Sequence, residues 1–287
     1  MKDMSTYQTI TERNALLLSR LSAVLNKAPD LFGPEDVASL TESGFGRAEA
    51  MGILLAGAMD LYGDREIRDL YLPGMVRELD PAVYREDPYY RAVGLLEESE
   101  DGCWSLRQEA YKPYELFVCG DYRYDEAGRV FPQIGFFPEV FRYPAVLQDG
   151  REWMLITPNE IETMRGPIGE ARGRVVTYGL GLGYFAYMAA RKPEVEQVTV
   201  VERDPAVIRL FRSRILPKLS CGDKIRILEG DAFAHAAALT AAEADFVFAD
   251  IWHDAGDGLP IWQRLRTLEK PRITYRYWIE ETMRYYL

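Results

Sequence analysis

Residues 159–287 predict an α/β fold built on a parallel sheet with helices on both faces, and three observations carry that expectation. Short apolar runs at 175–178, 197–201, 225–228 and 245–249 alternate with helical stretches at 184–191, 205–216 and 232–239. The runs close on small or acidic residues: Gly-Leu-Gly-Leu-Gly at 179–183, Glu-Arg-Asp at 202–204, Glu-Gly-Asp-Ala at 229–232 and Asp250. Strand and helix alternating in this way impose right-handed crossovers, and such sheets bind ligands beyond the carboxyl ends of their strands.

The segments ahead of this sheet differ in period. Residues 1–110 read as a helical domain. Thr9 and Glu12 form a capping-box pattern, and Leu16, Leu17, Leu18, Leu21, Val24 and Leu25 recur at helical spacing. Gly33-Pro34 ends one helix and opens the next, and Ala48–Leu61 and Ile67–Leu79 supply two further apolar stretches. Residues 111–158 read as a small antiparallel β subdomain. Leu116-Phe117-Val118, Val130–Phe137 and Trp153-Met154-Leu155-Ile156 are aromatic and β-branched, with breaks at 125–128 and 149–150. A helix over 159–168 leads into the parallel sheet. Beyond Asp250 only 37 residues follow, room for about one βα repeat of roughly 30 residues, so the sheet is expected to be shortened at its C-terminal side. A helix at 259–268, a fifth strand at 273–278 and a last helix at 280–286 fill that length.

Composition excludes some functions. A net charge of −11, with no local cluster of Lys or Arg, opposes binding to nucleic acid. The polar N-terminus carries neither a secretory core nor a bilayer span, and Cys103, Cys119 and Cys221 are scattered without a CxxC pattern. The expected setting is cytoplasmic, with no membrane partner. No His/Cys/carboxylate group stands at ligand spacing, which argues against a metal.

The chemistry gathers at the strand ends. Gly179, Gly181 and Gly183 remove side chains from the first strand-to-helix turn, where backbone can approach a ligand. A dinucleotide fingerprint wants a small residue at 184; Tyr184 stands there, which disfavours a nicotinamide-dependent oxidoreductase. Glu202 follows Gly183 by 19 residues and closes the second strand, where a carboxylate can accept from both hydroxyls of a ribose. Asp231 closes the third strand, placed to meet an adenine amino group, with the Ala232 amide available to a ring nitrogen. Asp250 closes the fourth. His253 follows it and has the pKa for general-base work near neutrality, as against an ordinary loop histidine. Asp204 reads as the cap of the helix opening at Pro205, and His235 as a helix-surface residue. Trp252 and Tyr184 offer rings that could sandwich a substrate, though core packing is the commoner use of such rings. The tyrosines at 275, 277, 285 and 286 are expected to pack on the sheet or on a second subunit of a homodimer.

These motifs resemble the class I S-adenosylmethionine-dependent methyltransferases, and more narrowly their spermidine synthase branch. Val200-Val201-Glu202-Arg203-Asp204-Pro205-Ala206-Val207-Ile208 is similar to the VEIDPxVI stretch of that branch. Pro217-Lys218-Leu219 through Gly230-Asp231-Ala232-Phe233 is similar to its PKL…GDAF segment. The resemblance covers about residues 153–268 and implies a Rossmann-like sheet preceded by a small β domain. It implies that Glu202 binds ribose, Asp231 adenine, and the turn from Gly179 to Gly183 the methionine portion of S-adenosylmethionine. Tyr178, Arg203 and Ala232, beside these positions, complete the cofactor-binding set. Two departures stand out. Aminopropyltransferases carry GGGDGG in the turn, and Leu182 holds its acidic position here. Their DSxDP-like segment is replaced by Asp250-Ile251-Trp252-His253-Asp254-Ala255-Gly256-Asp257.

The resulting expectation is a methyltransferase that aligns a small acceptor with the sulfonium's carbon and removes a proton through Asp250 or His253, with Tyr184, Trp252 and Asp254 at the substrate. Carboxylates at 250, 254 and 257 point to an amine-bearing acceptor. The alternatives are an aminopropyltransferase using decarboxylated S-adenosylmethionine, and a non-catalytic module that keeps the fold for sensing or assembly.

Overall fold

The computed structural model describes residues 4–94 and 96–287, with side chains described from residue 9 onward. In chain order, the first elements are α1 (Met4–Lys27), α2 (Pro34–Thr41), α3 (Arg47–Ala58), α4 (Leu72–Met75), β1 (Val76–Glu78), α5 (Pro81–Arg85) and α6 (Pro88–Val93). Strands β2 (Ser99–Asp101), β3 (Trp104–Tyr111), β4 (Phe117–Tyr124), β5 (Val130–Phe136), β6 (Phe141–Gln148) and β7 (Arg151–Leu155) follow. Next come α7 (Pro158–Glu170), β8 (Gly173–Tyr178), α8 (Tyr184–Ala190), β9 (Val195–Glu202), α9 (Pro205–Leu210) and β10 (Ile225–Glu229). The last are α10 (Ala232–Ala238), β11 (Phe246–Ala249), α11 (Ala255–Arg266), β12 (Thr274–Tyr277) and α12 (Glu280–Tyr285). Among the described residues, no helix is long and apolar enough to cross a membrane.

The chain divides into two compact units. The first comprises Met1–Ala82 and Ala110–Phe141. Leu17, Leu21 and Val24 recur on one face of α1 and bury themselves with Met51 and Leu55 of α3, Ile67 and Tyr71, and Ile134 and Phe136 of β5. Asn14 on the same helix is buried and satisfied: Tyr71 Oη donates to its Oδ1 at 2.9 Å, and its Nδ2 donates to the Gly128 carbonyl at 2.9 Å. A three-stranded sheet, ordered β1-β5-β4, completes the unit, with β1 parallel and β4 antiparallel to β5.

The second unit comprises Val83–Glu109 and Arg142–Leu287. Its main sheet runs β10-β9-β8-β11-β12, parallel throughout. Helices cover both faces, so the strand residues Val175, Val176, Val198, Val200 and Phe246–Ala249 are all buried, as near-continuous apolar runs require. The Phe185 ring of α8 stacks on Phe248 at 4.2 Å. A four-stranded sheet, ordered β2-β3-β6-β7, is the unit's second layer of strands.

Four expectations need correction. Helix α1 opens at Met4, so Thr9 lies inside it and does not cap it. Residues 67–79 are not one helix: a π-helical turn at 67–71 passes into the short α4, and β1 then pairs with β5, whose backbone groups outcompete helical continuation. Residues 1–110 are not all helical, since β2 and most of β3 fall within them. Residues 111–158 do not form one subdomain, because β4 and β5 share a sheet with β1, whereas β6 and β7 share one with β2 and β3. The two hairpins are local and legible in the turn residues; the strands that join them, β1 beside β5 and β3 beside β6, come from other parts of the sequence.

Candidate active site

From β8 the chain steps outward to β9 and β10, then returns to β11 on the opposite side of β8. The reversal puts a topological switch point between the carboxyl ends of β8 and β11, where open α/β sheets place their ligands. Asp250 sits there, its amide donating to the Tyr178 carbonyl at 3.0 Å. The turn after β8 has left-handed φ values of +94° at Gly179, +47° at Gly181 and +77° at Gly183, a backbone path that demands glycine.

Glu202 at the tip of β9 clamps this turn. Its Oε2 accepts the Leu180 amide at 3.0 Å and its Oε1 accepts the Asp204 amide at 2.8 Å. Asp204 caps α9 as expected, accepting the Ala206 amide at 2.8 Å, and also accepts Trp104 Nε1 at 2.8 Å. Asp231 is exposed at the start of α10, where its Oδ1 accepts the Ala234 amide at 2.8 Å; Ala232 beside it is buried and Arg203 is exposed.

The turn is filled by protein groups. A Cβ on Gly179 would collide with the Asp250 carbonyl oxygen, one on Gly181 with Met154 Sδ, and one on Gly183 with the Phe211 ring. The Leu182 amide donates to Met154 Sδ at 3.1 Å. Leu182 itself is fully buried, and its carbonyl accepts the hydroxyl of buried Tyr89.

A second carboxyl, which the sequence reading missed, stands within electrostatic reach of Asp250. Glu160, third residue of α7, is 8% exposed, and its Oε2 has no hydrogen-bond partner. Burial pushes its carboxyl well above the usual range, and the charge of Asp250 pushes it further. Burial alone raises Asp250 to about 7. The α7 N-terminus favours an anion at this position by well under the cost of burying one, so desolvation decides the direction. A signal was present: Glu160 stands four residues before Met164, on the face of α7 that also buries Ile161.

Other candidate residues turn elsewhere. Tyr184, an expected substrate residue, is buried; its hydroxyl donates to Asp87 Oδ2 at 3.1 Å and its ring meets Tyr89 edge-on at 5.4 Å. It belongs to the core, because that environment satisfies both its ring and its hydroxyl. Tyr178 is likewise buried, with its hydroxyl 3.3 Å from Nδ1 of half-buried His235, whose pKa burial lowers. Trp252 packs on Gly258, and its buried Nε1 has no partner. Asp254 is the N-cap of α11, accepting the Gly256 amide at 2.6 Å, and Asp257 returns the capping box by accepting the Asp254 amide at 2.9 Å. Their charges thus face a helix N-terminus. His253 is exposed; its Nε2 donates to the Glu152 carbonyl at 3.1 Å, and it lines a cleft of about 700 Å³ with Gln148, Asp149, Arg151, Glu152 and Trp153.

No protein-family model matches the chain. Over 89 residues it is 36% identical to Polyamine aminopropyltransferase 2 of Streptomyces coelicolor, covering 29% of this chain and 16% of that protein, so the similarity spans about a sixth of the relative's length. Among solved structures, similar chains include a spermidine synthase from Thermotoga maritima (TM-score 0.32, 15% identity, 56% of this chain and 47% of that one). Another is an O-methyltransferase from Bacillus cereus in complex with SAH (TM-score 0.29, 17% identity, 38% of this chain and 50% of that one). The sheet order and the glycine turn, observed directly, give a Rossmann-like α/β fold with a five-stranded parallel sheet, and the sequence similarity to an aminopropyltransferase is confined to 29% of the chain.

Proposed function

We propose that the chain is an S-adenosylmethionine-dependent transferase that moves a methyl group to a small, amine-bearing acceptor. The observation that carries this reading is the coupling of buried Glu160 to half-buried Asp250 at the switch point of a sheet whose next strand ends in Glu202. The adenosine side of the cofactor fits the residues present. Glu202 offers the carboxylate for the ribose and Asp231, at the next strand end, the acceptor for an adenine amino group. The amino-acid arm fits the glycine turn only if Met154 leaves it.

When bound, S-adenosylmethionine supplies an electrophilic carbon on a sulfonium. The chain's own work is to orient an acceptor lone pair toward that carbon and to take up the proton released. Asp250, raised to about 7, suits that proton at neutral pH, and Glu160 beside it can share it. His253, exposed and tied to the Glu152 carbonyl, is the weaker base candidate. The amine reading rests on Glu160 and Asp250 rather than on Asp254 and Asp257, which serve α11.

Two other readings have support. The match to a polyamine aminopropyltransferase favours aminopropyl transfer, whereas buried Leu182 in the expected acidic position opposes it. Met154 in the turn favours a non-catalytic module. Calorimetry with S-adenosylmethionine and its decarboxylated form, followed by a methyl-transfer assay over a panel of small amines, tests the choice. Binding of S-adenosylmethionine with amine-dependent turnover is expected. A preference for the decarboxylated form would establish aminopropyl transfer, and no binding of either would leave the non-catalytic module.

A further inference from the structure

Met154 reaches the glycine turn from β7, an edge strand of the β2-β3-β6-β7 sheet. The β6–β7 register shifts at this point: Met154 pairs with Val146, and Glu152 pairs with Leu147, so Trp153 is an extra residue. A bulge of this kind re-aims the neighbouring side chain. Here the result is a thioether lying where Gly181 lacks a side chain and accepting the Leu182 amide at 3.1 Å. The group is the same chemical kind as a methionine arm, an unbranched chain ending in sulfur and methyl. Met154 is only half-buried, and Arg151, Glu152 and Trp153 beside it are exposed, so little else must move for it to withdraw.

We propose that Met154 determines which adenosyl ligands the turn accepts. Its side chain occupies the subsite of the sulfur-bearing arm, so a ligand consisting of adenosine alone enters without disturbing it, whereas a ligand with an amino-acid arm must displace it. Flexible and unbranched, Met154 leaves at a cost the arm's own contacts can offset, and it returns when the arm departs. The inference rests on the adenosyl reading given above, and adenosine separates the two.

The test is calorimetry on the full chain as wild type, Met154→Ala and Met154→Leu, with adenosine and S-adenosylhomocysteine as probes. Adenosine affinity is expected to stay within about threefold across the three proteins. S-adenosylhomocysteine is expected to bind Met154→Ala about tenfold or more tightly than wild type, with Met154→Leu, which keeps the bulk, close to wild type. Adenosine binding accompanied by no gain for S-adenosylhomocysteine in Met154→Ala would overturn the role of Met154 and leave the adenosyl reading standing. An equal gain for both probes, or an equal gain in Met154→Leu, would overturn it too. Binding of neither probe by any of the three removes the adenosyl reading and this inference with it. Should Met154→Ala not fold, carbon-13 methyl labelling of wild-type methionines decides: S-adenosylhomocysteine shifts the Met154 resonance and adenosine does not. A resonance unmoved with S-adenosylhomocysteine bound counts against the proposal.

Discussion

Glu160, a buried carboxyl on the first turn of α7, and Asp250, a half-buried one at the end of β11, lie close enough for the charge of Asp250 to raise the pKa of Glu160. Both are easier to protonate in the folded chain than in the unfolded one. Unfolding therefore releases protons between the unfolded carboxylate value near 4 and the folded value of about 7 for Asp250. Stability falls as pH rises through that window and stays low above it. Replacing Glu160 by Gln removes one of the charges, so Glu160→Gln is expected to raise the melting temperature at pH 8 and to flatten its dependence on pH. Melting curves from pH 5 to 9 measure it, and a variant with the wild-type slope would show that the pair is not coupled to folding.

Asp250→Asn keeps the shape of the side chain while abolishing proton uptake. Turnover is expected to drop by about 10²–10⁴, the usual contribution of a positioned base. Cofactor affinity is expected to change by less than about threefold. The wild-type rate is expected to climb as pH approaches about 7 and to level off above it, because the base works when ionised. Steady-state kinetics with binding measured in parallel decides. Normal turnover in Asp250→Asn assigns the proton elsewhere.

The sheet was open to reading because each buried strand is a short apolar run closed by glycine or an acid, a pattern that depends only on local sequence. The strands expected at 175–178 and 245–249 are β8, Gly173–Tyr178, and β11, Phe246–Ala249, each within two residues of its pattern. The site was half open to reading for the same reason. Glu202 is the last residue of β9 and Asp250 follows β11 directly, and a strand's end fixes where its last side chain sits. Glu160 and Met154 come from outside the sheet, and no spacing between 154, 160, 181 and 250 encodes their meeting. Helix-capping chemistry takes Asp254 and one oxygen of Asp231. Asp254 and Asp231 satisfy amides of α11 and α10, work that any acid at a helix start performs. A ring at a helix start is as easily turned into the core as toward a ligand, and the partner that holds the Tyr184 hydroxyl, Asp87, lies 97 residues away.

Glu202→Ala deprives the Leu180 and Asp204 amides of their acceptor. Each partly buried donor left alone costs about 1–3 kcal/mol, so a loss of a few kcal/mol in urea denaturation is expected. Adenosine binding should disappear with it. A variant that unfolds at lower urea but binds adenosine as before would confine Glu202 to holding the turn.

Gly183→Ala meets two obstacles, a φ of +77° and the Phe211 ring. A destabilisation of about 2 kcal/mol or more is expected. Shrinking the ring with Phe211→Leu should recover the steric part in the double variant and leave the backbone part of about 1 kcal/mol. Gly169, inside α7 with open space around it, is the control: Gly169→Ala should stabilise slightly, by about 0.5–1 kcal/mol. Equal effects at 169 and 183 would mean that the turn is not tightly packed.

A crystal structure of the full chain with S-adenosylhomocysteine tests the central claim most directly. The expected result is ribose hydroxyls on the Glu202 carboxylate, adenine beside Asp231, Met154 withdrawn from the glycine turn, and the sulfur facing Asp250. Density for the ligand at any other place, with Met154 Sδ still on the Leu182 amide, would contradict it.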